Sequence, residues 1–177
     1  CATTVIEKWQ RERIPLALAQ LKKRLGRIPE LSATMHPTGP GHLGVADRGI
    51  IALVNPERLR RILAKMLDEN EFMGPCGIRS FSKFHEQHPF VFHVNGQEYK
   101  VDYLPAESNT GMFGGNSNWR GPVWLPTNYA LILALEKFNR YLGDGFTVSV
   151  AGLGARELTL GEIVTILARR MTSLYRP

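Results

Sequence analysis

Cysteine is nearly absent from this 177-residue chain: Cys1 and Cys76 are too few for a disulfide scaffold and lack metal-ligand spacing. No apolar run approaches the roughly 20 residues that a membrane helix needs, and the opening residues show no signal-peptide pattern. A phosphate-binding loop is missing too, since Gly111-Met112-Phe113-Gly114-Gly115 has no Lys-Ser/Thr ending. No internal repeat or low-complexity tract occurs. The chain opens at Cys1 rather than Met and closes at Pro177 just after an expected helix, so it reads as a piece of something longer, with a cytoplasmic setting as the expectation.

A hydrophobic content of 44% is ordinary for a globular protein with a packed core. The net charge of +6 suits an acidic partner or nucleic acid, but the cations are scattered in short clusters such as Lys22-Lys23-Arg24 and Arg169-Arg170. Those clusters fall where solvated helix faces are expected, so no nucleic-acid partner is assigned. His85 and His88 have a helical ligand spacing, yet Pro89 interrupts the helix and no third ligand follows, so no metal is assigned either.

Several elements are legible. Leu18, Leu21 and Leu25 predict a helix from Pro15 that stops at Gly26, whereas glycine- and proline-rich Leu31–Val54 reads as a long loop. Asn55-Pro56-Glu57 opens a helix with a cap, a proline at its first position and an acid on its positive end. Leu59, Ile62, Leu63, Met66 and Leu67 form its core stripe. Asn95-Gly96 between Phe90–Val94 and Gln97–Val101 predicts a type I′ hairpin with Phe92 facing Tyr99 and Phe90 facing Val101, lying on helices. From Tyr129 to Leu142 the apolar residues recur on every side, which predicts burial all round, with Gly143 as the stop. Thr159 and Glu162 form a capping box ahead of a last helix.

The densest chemistry lies at Gly114-Gly115-Asn116-Ser117-Asn118-Trp119-Arg120-Gly121-Pro122-Val123-Trp124. Indole faces are flat apolar platforms for the C–H side of a pyranose, and Arg and Asn offer donors and acceptors in fixed planes for its hydroxyls. The alternative is a surface loop anchored to the core by its two tryptophans. Asp102 and Glu107 flank the loop, and most loop carboxylates serve turns, caps or solubility.

Trp119-Arg120-Gly121-Pro122-Val123-Trp124, followed by Asn128-Tyr129 and a long apolar helix, resembles the signature of the mannosyl-oligosaccharide glucosidase-like glycoside hydrolases of family 63. Gly77-Ile78-Arg79-Ser80-Phe81-Ser82 is similar to that family's Gly-Leu-Arg-Ser-Leu-Ser block, and Tyr103–Trp124 resembles its large bacterial "glucosidase" branch. The likeness is strongest from about Asp68 to Leu142. It implies a mainly α fold, an arc of an (α/α)₆ toroid carrying one β-hairpin, with residues 1–177 as part of a catalytic domain. It implies inverting, exo-acting hydrolysis of terminal α-linked glucosyl or mannosyl residues, an oligosaccharide or glycoside substrate and no cofactor.

Inversion needs two carboxyl groups, one to protonate the leaving oxygen and one to activate water. The blocks that hold the family's acid and base have no counterpart here, so no catalytic label passes to Asp102 or Glu107 and the isolated chain is expected to be inactive. The resemblance assigns the sugar pocket to Trp119 as platform and Arg120 as donor, then Trp124, Asn128 and Tyr129. Arg79 and Ser80 line or brace it, and Glu107 accepts from a sugar hydroxyl or holds Arg120. Two rival readings are a non-catalytic carbohydrate-binding or pseudoenzyme domain, and a helical scaffold binding an acidic partner.

Overall fold

The computed structural model describes residues 3–29, 42–150 and 156–175. Along the chain run β1 (Thr3–Ile6), α1 (Lys8–Arg13), α2 (Pro15–Leu25), β2 (Gly49–Ala52), α3 (Pro56–Met66), β3 (Met73–Gly74), β4 (Gly77–Ile78), β5 (Phe90–Val94), β6 (Gln97–Val101), α4 (Leu125–Leu142), β7 (Thr147–Val150), β8 (Arg156–Thr159) and α5 (Leu160–Thr172). Among the described residues the strands form four separate two-stranded sheets, β1-β2, β3-β4, β5-β6 and β7-β8.

This architecture overturns the expected fold class. The four strand pairs are interspersed with the helices along the chain, so it is a mixed α and β structure and not an arc of a helical toroid. The expectation failed because periodicity finds long amphipathic helices readily, whereas four-residue strands and two-residue ladders leave almost no pattern. Thus Gly49–Ala52, inside the expected loop, pairs antiparallel with Thr3–Ile6 in the register Thr3↔Ala52. Residues 31–41 of that expected loop lie outside the described ones.

Two compact units divide the chain. The first comprises Cys1–Ile62, Ala130–Val148 and Glu157–Val164. In it Glu7 caps α1 through a capping box with Gln10, and its carboxylate accepts from Arg48 Nε at 3.1 Å and Arg140 Nη2 at 2.7 Å. Gly44 lies so close to Tyr141 that a Cβ would overlap the tyrosine's backbone and ring. Arg60 reaches the Thr147 carbonyl at 3.1 Å while its guanidinium sits 4.2 Å over the Phe146 ring. Helix α2 runs from Pro15 to Leu25 as predicted, but neither it nor α1 buries a residue.

The capping predictions have a physical counterpart in each case. Asn55 Oδ1 accepts from the Arg58 amide at 2.8 Å, and Thr159 and Glu162 exchange both bonds of their box at 2.8 and 3.3 Å. Leu59 and Leu63 in α3 and Leu67 just after it are buried as the stripe requires, while Ile62, at the margin of that stripe, is exposed. Helix α4 starts four residues earlier than its apolar run, at Leu125, and Gly143 ends it with φ +70. Its burial is one-sided: Ala134, Leu135, Phe138 and Tyr141 are buried, whereas Tyr129 and Leu133 are exposed.

The second unit comprises Leu63–Tyr129, Ser149–Arg156 and Thr165–Pro177. The β5-β6 hairpin has the predicted register, Phe92↔Tyr99 and Phe90↔Val101, around Asn95 and Gly96 at φ +51 and +77. Phe92 and Tyr99 stack across the ribbon with ring centres 5.2 Å apart. Contrary to expectation, Phe90, Phe92 and Tyr99 are all exposed, so no helix among the described residues covers that side of the ribbon. Upstream, Pro75 and Cys76 form the turn of the two-residue β3-β4 ladder, Met73↔Ile78. That ladder opens the segment from which the candidate site is built.

Candidate functional site

All the sequence-predicted site residues belong to the second unit. Two stretches separated by about forty residues lie side by side there. Arg79 and Val123 form an antiparallel bridge, and the Ser80 amide donates to the Pro122 carbonyl at 3.0 Å. Ser80 Oγ donates to the Asn118 carbonyl at 2.9 Å and accepts from the Gly121 amide at 3.0 Å. The hydroxyl therefore spans the Trp119-Arg120 dipeptide, with one bond on either side of it. Gly121 makes this path possible: its φ is +135, and a Cβ would run into the Tyr103 ring.

Asn128 ties the same stretch to the start of α4. It is fully buried, accepts from the Ile78 amide at 2.7 Å, and donates through Nδ2 to the carbonyls of Ile78 and Trp124, each at 2.9 Å. Both hydrogens and the carbonyl of the amide are used, so a polar group pulled from water is fully compensated. Gly77, at φ +137, leaves the space that Asn128 occupies, since a Cβ would sit 2.8 Å from Oδ1.

Arg120 is wholly buried. Its Nη2 donates to Ser108 Oγ at 2.6 Å and Thr110 Oγ1 at 3.0 Å, and Nη1 lies 3.6 Å from Asp102 Oδ1. Among the described residues Nε and Nη1 have no hydrogen-bond partner, and the guanidinium sits 5.8 Å from the centre of the Phe113 ring. The charge is thus balanced by Asp102, which also lies 3.5 Å from Lys100. Arg120 clasps the loop before it: Ser117 Oγ donates to the Ala106 carbonyl, and Phe113 turns through φ +55, a rare conformation for a residue with a side chain.

Trp119 and Trp124 lie in contact, with ring centres 4.6 Å apart and planes tilted by 42°. A pyranose sandwiched between two rings needs roughly twice the 3.5–4.0 Å contact distance, so the gap admits none. Trp119 is 55% exposed and Trp124 half-buried. The outer face of Trp119 is consequently the platform available to a ligand, with Trp124 behind it. Tyr129, one residue beyond Asn128, is 61% exposed.

Arg79 and Glu107 stand apart from this platform. The Arg79 guanidinium donates to the carbonyls of Glu69 and Glu71 at 3.0 and 3.2 Å and lies 6.0 Å from the Tyr103 ring centre. Glu107 is exposed and bonds to none of the described residues; the holder of Arg120 is Asp102 with Ser108 and Thr110. Nothing in the sequence signals those two hydroxyls, because Ser and Thr are the usual content of a turn. Glu71 was likewise unmarked. It accepts from Lys65 Nζ and Ser82 Oγ, each at 2.5 Å, and these bonds hold its carboxyl below the usual glutamate range. The rings of His85 and His88 stack on Phe81 and Phe84, and each Nδ1 bonds to a backbone carbonyl.

A protein of Saccharomyces cerevisiae named "Uncharacterized protein YMR196W" is 51% identical over 134 residues. The match covers 76% of this chain and 12% of the yeast protein, so the chain spans about an eighth of the length of the relative it matches. That relative's name carries no activity. No protein-family model and no solved structure matches the chain. Among the described residues no helix is long and apolar enough to cross a membrane, and no three His, Cys, Asp or Glu side chains gather as a metal site.

Chemically, the arrangement offers an exposed indole held by a dense hydrogen-bonded frame. The frame contains one buried ion pair, one fully satisfied amide and one bridging hydroxyl, all within the segment from Ile78 to Asn128. The carboxylate beside it, Asp102, faces two cations, Lys100 and Arg120.

Proposed function

We propose that the chain supplies sugar-binding loops to an inverting, exo-acting α-glycosidase of the mannosyl-oligosaccharide glucosidase-like kind, acting on terminal α-linked glucosyl or mannosyl residues. The observation that carries this reading is the exposed ring of Trp119, backed by Trp124 and carried on the backbone that Ser80 brackets. Apolar C–H faces of a pyranose pack on such a ring, and burial of that face is favourable in water. The resemblance of the two stretches that meet at Ser80 and Gly121 supports the same class. The family's acid and base blocks have no counterpart here, and Asp102 is held by Arg120 and Lys100, so we place neither the catalytic acid nor the base in this chain and expect the isolated chain to be inactive. No cofactor enters the reaction. Two cysteines, too few for a disulfide scaffold, fit a cytoplasmic setting.

The commitment of Asp102 also favours a second reading, a carbohydrate-binding domain without hydrolysis. Both readings are tested in the full-length protein by titrating maltose and methyl α-mannoside against Trp fluorescence, and by following sugar release from α-linked disaccharides with the anomer identified. Release of the inverted anomer, lost in Trp119→Ala, supports the glycosidase. Binding without release supports the binding domain, and absence of both refutes a sugar site here.

A further inference from the structure

We propose that Ser80 is a positioning residue that fixes the ring of Trp119, and through it the affinity of the sugar platform. The inference rests on the sugar reading only for its last step. A single hydroxyl donates to the carbonyl of Asn118 and accepts from the amide of Gly121, so it closes the backbone on both sides of Trp119-Arg120. The neighbouring bonds share this geometry: the Ser80 amide holds the Pro122 carbonyl, and Arg79 bridges Val123. Trp119 itself is more than half exposed, so burial does little to fix its ring. Its orientation is set by the backbone beneath it and by Trp124 beside it.

Side-chain identity matters at Ser80 for a definite reason. The hydroxyl acts as donor and acceptor at once, and only Ser, Thr and Tyr side chains carry such a group. Alanine leaves the Gly121 amide and the Asn118 carbonyl without that partner, and the dipeptide between them is released at both ends. Threonine keeps the oxygen on the same carbon. Ser80 need not touch the sugar for its loss to weaken capture, because a platform that samples many orientations binds with the fraction of time it spends in the right one.

The two indoles report this directly, without ligand. Rings with centres 4.6 Å apart couple their strong ultraviolet transitions, and the coupling gives a two-signed circular dichroism couplet whose size follows the distance and angle between them. In the full-length protein, Trp119→Phe and Trp124→Phe identify the couplet as the part of the spectrum that both substitutions remove. In Ser80→Ala the couplet should lose at least half its amplitude and the Gly121 amide should exchange with solvent roughly tenfold faster, as the loss of one hydrogen bond implies. Ser80→Thr should retain both signals. Maltose affinity should fall roughly tenfold in Ser80→Ala and recover in Ser80→Thr.

A folded Ser80→Ala with an unchanged couplet and a protected Gly121 amide overturns the proposal, and so does Ser80→Thr behaving like Ser80→Ala. If Ser80→Ala does not fold, the decision passes to the other two: an unprotected Gly121 amide in the native protein, or a collapsed couplet in Ser80→Thr, overturns it, and retention of both supports it. A couplet lost without change in maltose binding supports the positioning role while refuting the sugar platform. The two readings therefore fail separately.

Discussion

The Arg120 guanidinium, wholly buried, lies 3.6 Å from the carboxylate of Asp102, whose own side chain is 20% exposed. A charge taken this far out of water is tolerated only while its counter-ion and its hydroxyl partners remain. The pair therefore governs whether the loop from Asp102 to Gly121 keeps its shape.

Removing the acid should be costly. Asp102→Ala leaves a buried unpaired cation, for which losses of about 3 kcal/mol are typical, so the melting point should fall by several degrees. Ser108→Ala removes one neutral acceptor of two and should cost about 1–2 kcal/mol. Thermal melts of both variants check the order. Equal losses would show that Asp102 does not balance the arginine.

Asn128 makes a second testable frame element. Asn128→Asp keeps the size of the side chain, but a carboxylate cannot donate to the carbonyls of Ile78 and Trp124. The expected loss is about 2–4 kcal/mol, because the Ile78 and Trp124 carbonyls each lose a bond and a charge is buried without a partner. Gly77→Ala pushes a methyl against the same amide oxygen, so the double variant should lose less than the sum. Denaturant melts of the two single variants and the double one measure that coupling; simple additivity would remove Gly77 from the Asn128 site.

Much of the fold's punctuation was legible in the sequence, and for local reasons. Asn95-Gly96 fixes the hairpin register because few dipeptides accept positive φ twice, and Asn55 and Thr159 mark helix starts because their side-chain oxygens reach the first free amides. The pairing of Thr3–Ile6 with Gly49–Ala52 was hidden by its separation along the chain. Ladders as short as Met73-Gly74 with Gly77-Ile78 leave no alternation to detect. In α4 the apolar residues lie on every side, yet only one face is buried, since composition sets what a helix can bury and its neighbours decide what it does bury.

The sequence marked residues that the fold partly brings together, and it did not show the contacts each one makes. Trp119 and Trp124 do meet, and Ser80 does join their loop. Arg120, read as the donor of the sugar pocket, is turned inward to Ser108, Thr110 and Asp102. Burial of an arginine depends on hydroxyls ten and twelve residues away, and no spacing rule encodes that.

Glu71 gives the chain an acid-sensitive contact. Bonds from Lys65 and then Ser82 lower its carboxyl pKa, so the folded state favours the ionised form. Its contribution is complete above the carboxyl's unfolded pKa and is lost as pH falls through the lower, folded value. Glu71→Gln should cost about 1.5 kcal/mol at neutral pH, and the gap between variant and parent should close on acidification. Urea melts across that range decide the point; a gap that stays constant with pH would mean that Glu71 acts through shape alone.

Trp119→Ala and Arg120→Lys should separate platform from frame. Trp119 is exposed, so its loss should change stability by no more than about 0.5 kcal/mol, the usual range for surface positions. It should nonetheless weaken maltose binding, since aromatic contacts contribute about 0.5–1.5 kcal/mol beyond the area they cover, or roughly two- to tenfold. Arg120→Lys retains the charge but replaces a planar fork by a single ammonium, which cannot satisfy Ser108, Thr110 and Asp102 from the same positions. That variant should melt several degrees lower and lose maltose affinity only as far as the loop loosens. Measuring maltose titrations and melting curves on the same preparations of the full-length protein gives the answer: a stable Arg120→Lys with abolished binding would mean that the guanidinium itself reaches the ligand, and a Trp119→Ala that binds maltose as the parent does would take the exposed indole out of the site.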